Sequence, residues 1–306
     1  MRKKSMRLFV VAIAMILVLG IFAGCGTKSE PQVTEEPAAV EQDKTPAPEP
    51  EAAKPEVTEE EPPADSDLAY IKDKGAIKIG ITIFDPMNYY DDGGTLVGFD
   101  TEFAVAVCEQ LGVAPDFVEI NWDTKEIELA SKSIDCIWNG LTVTEERREN
   151  MFFTDSYIKN MQVIVIRAAD KDKYTSIETL AEARLCAEMS SAGETAIQEN
   201  DVLAGANYTA LGKQTDTLME VKAGTSDAAV LDYTAAKAMV GEGTNYSDLM
   251  ILPGAELEPE EYAIGFRLES DIVAEVNKII KALISDGTLN KIAETYDLTA
   301  SLLSNQ

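Results

Sequence analysis

Apolar and polar positions after residue 76 follow two periods, which divide the chain into short strands and helices. Residues 77–83 alternate apolar with small or polar side chains, which predicts a strand. An apolar residue recurs at every fourth position from Phe99 to Leu111, which predicts a helix, and Gly112 supplies its C-terminal stop. The alternation continues with a predicted strand at 117–120, a helix at 122–133 and a strand at 134–138.

A second run of alternating elements follows. Its predicted members are helix 176–183, strand 184–188, a helix from Gly193, strand 208–211, helix 216–222, strand 227–231, a helix from Thr234 and strand 249–252. Extended runs at 161–167 and 259–266 flank it, and two helical patterns close the chain. Because strand–helix alternation favours a mostly parallel sheet with helices on its faces, the pattern predicts an α/β fold of two units. The extended runs are predicted to be two strands that cross between the units.

The N-terminus has the composition of an export signal. Basic residues from Arg2 to Arg7 precede an apolar run at 8–23, and small residues lead to Cys25. The stretch that ends at Cys25 resembles a lipoprotein box, although Phe22 stands where Leu is usual. We predict a signal peptide at 1–24 and acylation of Cys25, which would anchor the chain at the outer face of the membrane. A plain membrane-anchoring helix is the alternative, but the run is shorter than the roughly 20 residues that a span needs.

Residues 25–67 are predicted to be a tether between the lipidated Cys25 and the folded part. From Ser29 to Asp67 the sequence is rich in Pro, Ala and Glu, with 13 acidic residues against Lys44 and Lys54. Such a segment cannot bury enough apolar surface to offset its ordering entropy. An interaction tail for a basic partner is the alternative interpretation.

The net charge and the amino-acid composition exclude several classes of function. The net charge of −28 argues against nucleic acid as a partner. The chain contains no His, which excludes every His-dependent catalytic triad and removes the commonest metal ligand. Besides Cys25, the spacing of Cys108, Cys136 and Cys186 resembles no metal motif; we expect buried free thiols, with a Cys108–Cys136 bridge as the alternative.

The segment from Gly140 to Arg147 carries the clearest candidate chemistry. It follows a predicted buried strand and runs into a charged helix start. Gly140 permits close approach of a ligand to the backbone, Thr142 offers a hydroxyl, and Arg147 offers a planar fork of donors that fits a carboxylate. The segment therefore predicts a small anion site, unless its charges simply lie in water.

In context this segment resembles a motif of the family 3 extracellular solute-binding proteins, the amino-acid receptors of ABC importers. The resemblance covers about residues 77–298 and rests also on motifs that begin at Leu96, Leu111, Asn121, Phe153, Asp227 and Ser285. It implies a type II periplasmic-binding-protein fold, in which two lobes joined by two strands hold the ligand in a cleft. Lobe 1 would take 75–161 plus 259–306, and lobe 2 would take 162–258.

The resemblance also implies roles for individual residues. Arg147 matches the arginine that clamps the ligand α-carboxylate, and Thr142 matches a donor to the same group. Gly140 matches the position whose backbone accepts from the α-ammonium, and Asp232 matches the aspartate that pairs with that ammonium from the opposite lobe. Because burying a zwitterion is costly unless both charges are paired, binding would favour closure of the cleft.

Further positions are expected at the site with alternatives open. Tyr89 is expected as an aromatic wall, while Trp138 is either a second wall or a core side chain. Ser191 and backbone amides at a helix start would supply a second carboxylate contact. Glu188 either lies in solvent or faces the cleft, where it favours a ligand with a cationic side chain. Glu126 either assists the site or lies on a helix surface.

The leading hypothesis is therefore a monomeric, non-enzymatic binding protein that captures a polar L-amino acid, cationic or cystine-like, and presents it to membrane permease subunits. It calls for no cofactor, metal or catalytic residue. Two alternatives use the same fold: an exported enzyme of the cyclic amino-acid dehydratase type, for which Glu188 is the one candidate proton donor, and a ligand-sensing domain.

Overall fold

The structure is a computed structural model that describes residues 66–257 and 259–306. The predicted signal peptide, Cys25 and the tether up to residue 65 lie outside the described residues. The predicted end of the tether at Asp67 needs correction. Ser66 caps a helix by accepting a hydrogen bond from the Ala69 amide, and the Asp67 carboxylate binds Arg267 at 2.9 Å. Both residues are buried, so the folded domain begins by Ser66.

Most elements coincide with the predicted ones. The strands are β1 (Ala76–Ile81), β2 (Tyr89–Tyr90), β3 (Leu96–Val97), β4 (Ala114–Glu119), β5 (Cys136–Ile137), β6 (Phe152–Phe153), β7 (Ile158–Arg167), β8 (Arg184–Glu188), β9 (Asn207–Leu211), β10 (Ala228–Asp232), β11 (Leu249–Ile251), β12 (Pro259–Tyr262) and β13 (Gly265–Phe266). The α-helices are α1 (Asp67–Lys74), α2 (Phe99–Leu111), α3 (Lys125–Ala130), α4 (Glu145–Arg148), α5 (Ala192–Glu199), α6 (Gln214–Ala223), α7 (Tyr233–Met239), α8 (Ile272–Ser285) and α9 (Thr288–Thr295).

Two sheets organise the fold, and we call them the first and second sheets. The first has the strand order β4-β1-β5-β13-β6, and the second contains β11-β7-β10-β8-β9, with β12 paired to β7. Each sheet combines a parallel half with antiparallel strands: β1 runs parallel to β4 and β5, whereas β13 runs antiparallel to β5. The predicted α/β class with two units is confirmed.

Both predicted extended runs contain strands: the first lies within β7, and the second comprises β12 and β13. The start of β7 pairs with β12. In antiparallel register, Pro259 of β12 lies opposite Met161 of β7, and Tyr262 lies opposite Ile158. The far half of β7 belongs to the second sheet, through its pairing with β10. Downstream of β12 the chain enters the first sheet as β13. The paired strands β7 and β12 therefore lie between the two sheets.

Two of the predicted helices are shorter in the structure than the sequence pattern indicates. Residues 176–183 form one short 3₁₀ turn (Ile177–Leu180) instead of a longer helix. The predicted helix at 122–133 is a 3₁₀ turn (Trp122–Thr124) followed by the short α3.

Cys108, Cys136 and Cys186 are buried free thiols, which confirms the expectation and excludes the Cys108–Cys136 bridge. In the part of the chain that the structure describes, every helix is too short or too polar to cross a bilayer.

Candidate ligand-binding site

Residues that meet at one cavity follow the carboxyl ends of the parallel strands, and three of those named here, Gly140, Glu188 and Asp232, were predicted. In the first sheet, Phe84 follows β1 and Gly140 follows β5. In the second sheet, Glu188 ends β8 and Asp232 ends β10, while Gln214 begins the helix after β9. Ligands of open α/β sheets bind beyond the carboxyl ends of the strands, where the connecting loops converge.

One cavity collects residues from both sheets. Its walls are Phe84, Trp122, Asn139, Gly140, Thr142, Arg147, Glu188, Ser191, Ala192, Gln214 and Asp232. Six of the eight predicted ligand-binding residues are among them, and the other two, Tyr89 and Trp138, are not. We call this group of residues the site cavity.

Arg147 reaches the site cavity from the short helix α4. Thr144 caps that helix by accepting a hydrogen bond from the Arg147 amide, which fixes where the side chain starts. The guanidinium donates from Nη1 to the Thr142 carbonyl at 2.7 Å and from Nη2 to the Ser190 carbonyl at 3.2 Å. Only 7% of the residue is exposed. Burial lowers the pKa of Arg147, and the nearby carboxylates of Glu260 and Asp232 oppose that effect.

Gly140 shows why this position cannot carry a side chain. Its φ is +56°, and an added Cβ would lie 2.5 Å from Cε1 of Phe84. Its amide donates to the Asp100 carboxylate at 2.7 Å, and the Tyr157 hydroxyl donates to the same carboxylate at 2.8 Å. Burial raises the pKa of Asp100 to about 7, against the lowering effect of these two donors. Asp100 at the start of α2 thus positions the Gly140 backbone.

Asp232 is the acceptor of a dense hydrogen-bond network on the second sheet. Its Oδ1 accepts from Asn160 at 2.8 Å, Gln162 at 3.0 Å and the Tyr262 hydroxyl at 2.6 Å. Its Oδ2 accepts from the Gln214 amide. Neutral donors thus hold a carboxyl group that is only 5% exposed in one orientation.

A second carboxyl lies behind Asp232. Glu260 accepts from the same two amides, Asn160 at 2.6 Å and Gln162 at 2.9 Å. Burial raises the pKa of Glu260 well above its ordinary value, and the neighbouring Asp232 adds to the effect. Since β7 supplies both amides and β12 supplies Glu260 and Tyr262, the two strands between the sheets directly support the Asp232 carboxylate.

Ser191 and Glu188 form the β8–α5 corner of the site cavity. Ser191 caps α5 by accepting from the Glu194 amide at 3.1 Å, so its hydroxyl oxygen already serves the helix start. Glu188 is only 4% exposed, which excludes the interpretation as a solvated residue. Burial, with a smaller contribution from Asp232, raises the pKa of Glu188 to about 8.

Lys125 is a buried cation that sequence reasoning missed. Its Nζ donates to the Ser190 carbonyl at 3.0 Å and to the Trp122 carbonyl at 3.1 Å, and it lies 4.8 Å from the centre of the Trp122 ring. Burial and the adjacent Arg147 lower the pKa of Lys125 to about 8. A lysine in a short charged helix ordinarily indicates a solvated face, so its burial could not be predicted from the local sequence. Lys125 and Arg147, which belong to the part of the chain around the first sheet, thus both donate to the Ser190 carbonyl in the β8–α5 corner.

The predicted aromatic walls differ from those observed. Tyr89 lies in the small hairpin β2–β3 and packs edge-on against Tyr296, with ring centres 6.5 Å apart. Trp138 is a core side chain, with its ring centre 5.0 Å from that of Phe103. Phe84 and Trp122 line the site cavity instead.

Some of the missed residues had a signal in the sequence. Trp122 stands in the Asn-Trp-Asp motif that the family resemblance already used, and Phe84 is the aromatic residue next to the turn at Pro86. Asn160 and Gln162 are alternating polar positions in an otherwise apolar strand, which indicates one polar face. Gln214 had no comparable signal.

The site cavity is narrow in this structure, with room of about 10 Å³, roughly that of one water molecule. A larger cavity of about 600 Å³ adjoins it, sharing Thr142 and Ala192 and reaching Gln162 and Glu260. Entry of a ligand of amino-acid size therefore requires the walls from the two sheets to separate.

Gly140→Ala should lower the free energy of unfolding by about 2–4 kcal/mol, because it adds a left-handed backbone penalty to a clash with Phe84. Chemical denaturation of both proteins measures the difference. Gly205→Ala is the matched control, since an added Cβ there meets no atom within 4 Å. Equal stability of the Gly140→Ala and Gly205→Ala variants would contradict the close packing around Gly140.

Two α/β units whose opposite charges meet in a cavity between them define a two-lobed binding protein of the type II periplasmic class. The model for bacterial extracellular solute-binding proteins, family 3, matches residues 77–299, and the chain belongs to this family.

Individual relatives agree with this assignment. The L-cystine-binding protein TcyJ of Escherichia coli K12 is 25% identical over 232 residues, which cover 75% of this chain and 85% of that protein. The arginine-binding extracellular protein ArtP of Bacillus subtilis 168 is 26% identical over 208 residues, covering 68% and 80%. Among solved structures, a mutant of ArgBP from T. maritima has a TM-score of 0.70 and 31% identity, and covers 75% of this chain and 98% of that one.

Proposed function

We propose that this protein captures a free L-amino acid in the site cavity and delivers it to the permease subunits of an ABC importer. One observation carries the proposal: Arg147 and Asp232 have opposite charges, both are buried, and they line one cavity from different sheets. A zwitterion supplies the complementary pair of charges. Its carboxylate offsets the cost of burying Arg147, and its ammonium offsets the cost of burying Asp232. Relatives named for cystine and for arginine support the ligand class.

The proposed contacts follow from the positions of these groups. Arg147 and the Thr142 hydroxyl bind the α-carboxylate, and Ser191 with the first amides of α5 adds a second contact to it. Asp232 and the Gly140 carbonyl accept hydrogen bonds from the α-ammonium. The rings of Phe84 and Trp122 enclose the rest of the ligand in place of the expected Tyr89 and Trp138.

Closure of the cleft links binding to delivery. In this proposal residues 75–161 plus 259–306 form lobe 1, residues 162–258 form lobe 2, and β7 and β12 are the hinge. A zwitterion bound to Arg147 of lobe 1 and Asp232 of lobe 2 is fully satisfied only when the lobes meet, so binding favours the closed form. The contacts of Lys125 and Arg147 with the Ser190 carbonyl support the same closed arrangement. The permease would then distinguish the closed form from the open one.

The N-terminal sequence supports a location at the outer membrane surface. We propose that Cys25 carries acyl chains after removal of residues 1–24, and that residues 25–65 tether the domain to the membrane. The protein acts as a monomer in this proposal, since one chain supplies both halves of the site.

Thermal unfolding of residues 66–306 in the presence of single L-amino acids tests the proposal. A ligand that binds only the folded state raises the melting temperature, by an amount equivalent to about 2.7 kcal/mol at 100 times its Kd. We expect a shift with at least one amino acid, and recovery of that ligand unchanged after incubation. No shift with any amino acid contradicts the proposal, and chemical conversion of the ligand favours the enzyme alternative.

A further inference from the structure

Two acceptor groups in the site cavity have no hydrogen-bond donor among the described residues. The Glu188 carboxyl lines the cavity, and no described side chain or amide donates to it. Gln214 donates its amide NH₂ to Asp232, which fixes the orientation of the side chain, and its carbonyl oxygen Oε1 is buried without a partner. Gln214 is 8% exposed. A fully buried acceptor without a partner, such as Gln214 Oε1, is uncommon in folded proteins and indicates a missing donor.

The two cations that act on Glu188, Arg147 and Lys125, do not fill this role. Arg147 and Lys125 both influence the Glu188 carboxyl electrostatically, but their hydrogen bonds go to the carbonyls of Thr142, Trp122 and Ser190. Neither cation donates to Glu188. An ionised Glu188 therefore pays a desolvation cost that no hydrogen bond of the described chain offsets.

The charges that line the site cavity give the same indication. When ionised, Arg147 contributes one positive charge, and Glu188 and Asp232 contribute two negative charges. A ligand with a neutral side chain adds no net charge and leaves one carboxylate uncompensated. A ligand with one positive side-chain group brings the summed charge of these three lining groups and the ligand to zero; Lys125 lies outside the lining and is bound to two carbonyl oxygens.

We propose that Glu188 and Gln214 form a subsite for a positively charged side-chain nitrogen, so that the preferred ligand is a basic L-amino acid. Glu188 supplies the charge, and Gln214 Oε1 accepts a further hydrogen bond from the same group. The inference rests on the proposed function, because the α-carboxylate and α-ammonium must be held by Arg147 and Asp232 for the side chain to reach this wall.

Isothermal titration calorimetry with matched ligands tests the subsite. The probes are L-arginine and L-lysine, and their uncharged counterparts L-citrulline and L-norleucine. We expect wild-type protein to bind a basic ligand about 10- to 100-fold more tightly than its neutral counterpart, the range for a hydrogen bond to a charged group. Glu188→Gln should reduce that ratio to about threefold or less, while Glu182→Gln, the same charge change at an exposed residue outside the site cavity, should preserve it.

The outcomes separate the subsite from the function. Equal affinity for basic and neutral ligands in wild-type protein, or a preference that survives Glu188→Gln, overturns the inference but leaves amino-acid capture intact. Failure of every amino acid to bind overturns the proposed function itself. Gln214→Met should weaken all ligands, because it removes the amide that holds Asp232, and should weaken basic ligands more, because it also removes the Oε1 acceptor. Equal weakening of basic and neutral ligands would remove Gln214 from the subsite.

The pH profile adds a readout that a purely structural Glu188 would not affect. The carboxyl faces Asp232, Lys125, Asp216 and Arg147, and its pKa is about 8. Below that pH a bound cation must displace the proton from Glu188, so affinity for a basic ligand should rise about tenfold from pH 6 to pH 7. The Glu188→Gln variant should lack this increase, and a parallel profile in both proteins contradicts the assignment.

Discussion

Arg147→Ala is expected to weaken amino-acid binding by about 1,000-fold, equivalent to about 4 kcal/mol. The substitution removes the buried charge and the two-pronged donor that we assign to the α-carboxylate, and no neighbouring cation can take its place without losing its own bonds. Lys125 is the nearest candidate, and its Nζ already binds two carbonyl oxygens. Titration calorimetry with the best ligand from the thermal screen measures the loss.

Two variants make this experiment specific. Arg148→Ala removes an exposed arginine from the same helix and should leave the Kd unchanged. Arg147→Lys keeps the charge but loses the fork, and should give an intermediate affinity. Because Arg147 also holds the Thr142 and Ser190 carbonyls, melting curves must accompany the titrations. Full affinity in a folded Arg147→Ala protein would remove Arg147 from the site.

Asp232→Asn is expected to weaken binding by about 100-fold, or roughly 3 kcal/mol. It removes the negative charge opposite the α-ammonium. It also replaces an acceptor oxygen by a donor amide within a network in which Asn160, Gln162, Tyr262 and Gln214 all donate to the carboxylate. At least one N–H or O–H then loses its acceptor, so some loss of stability is expected as well.

The control for this variant is Asp201→Asn, an exposed aspartate outside the site cavity, which should change neither property. Comparing Kd with the free energy of unfolding distinguishes the two roles of Asp232. A variant that unfolds more easily yet binds with wild-type affinity would show that Asp232 supports the fold without contacting the ligand.

The fold could be predicted from sequence because its strands are marked by strong local patterns. Alternating or continuous apolar runs identified β1, β8 and β10, and Gly112 ended α2 in the left-handed conformation at the predicted residue. The two-residue strands β2, β3 and β6 had no such signal. Two residues are too few to establish a period, and their pairing depends on tertiary contacts.

Site residues were predictable where they belong to a recognisable sequence motif. Gly140 and Arg147 belong to a motif whose order fixes the chemistry, and the structure places both in the site cavity. Tyr89 was not distinguishable from Phe84 by sequence, since both flank the same turn and only the path of the chain decides which ring turns inward. Lys125 was missed because its burial depends on carbonyls that are distant in sequence.

The three buried cysteines allow the local opening of the domain to be measured by chemical labelling. Burial raises the pKa of Cys108 to about 12 and that of Cys186 to about 11, and raises the pKa of Cys136 well above its ordinary value. Thiolates, not thiols, react with alkylating reagents, so labelling has to wait until the surrounding structure opens. The rate of iodoacetamide incorporation at each cysteine therefore reports how often the structure around that cysteine opens. A bound ligand that slows labelling at Cys186 but not at Cys108 would stabilise the part of the domain around Cys186 against local opening.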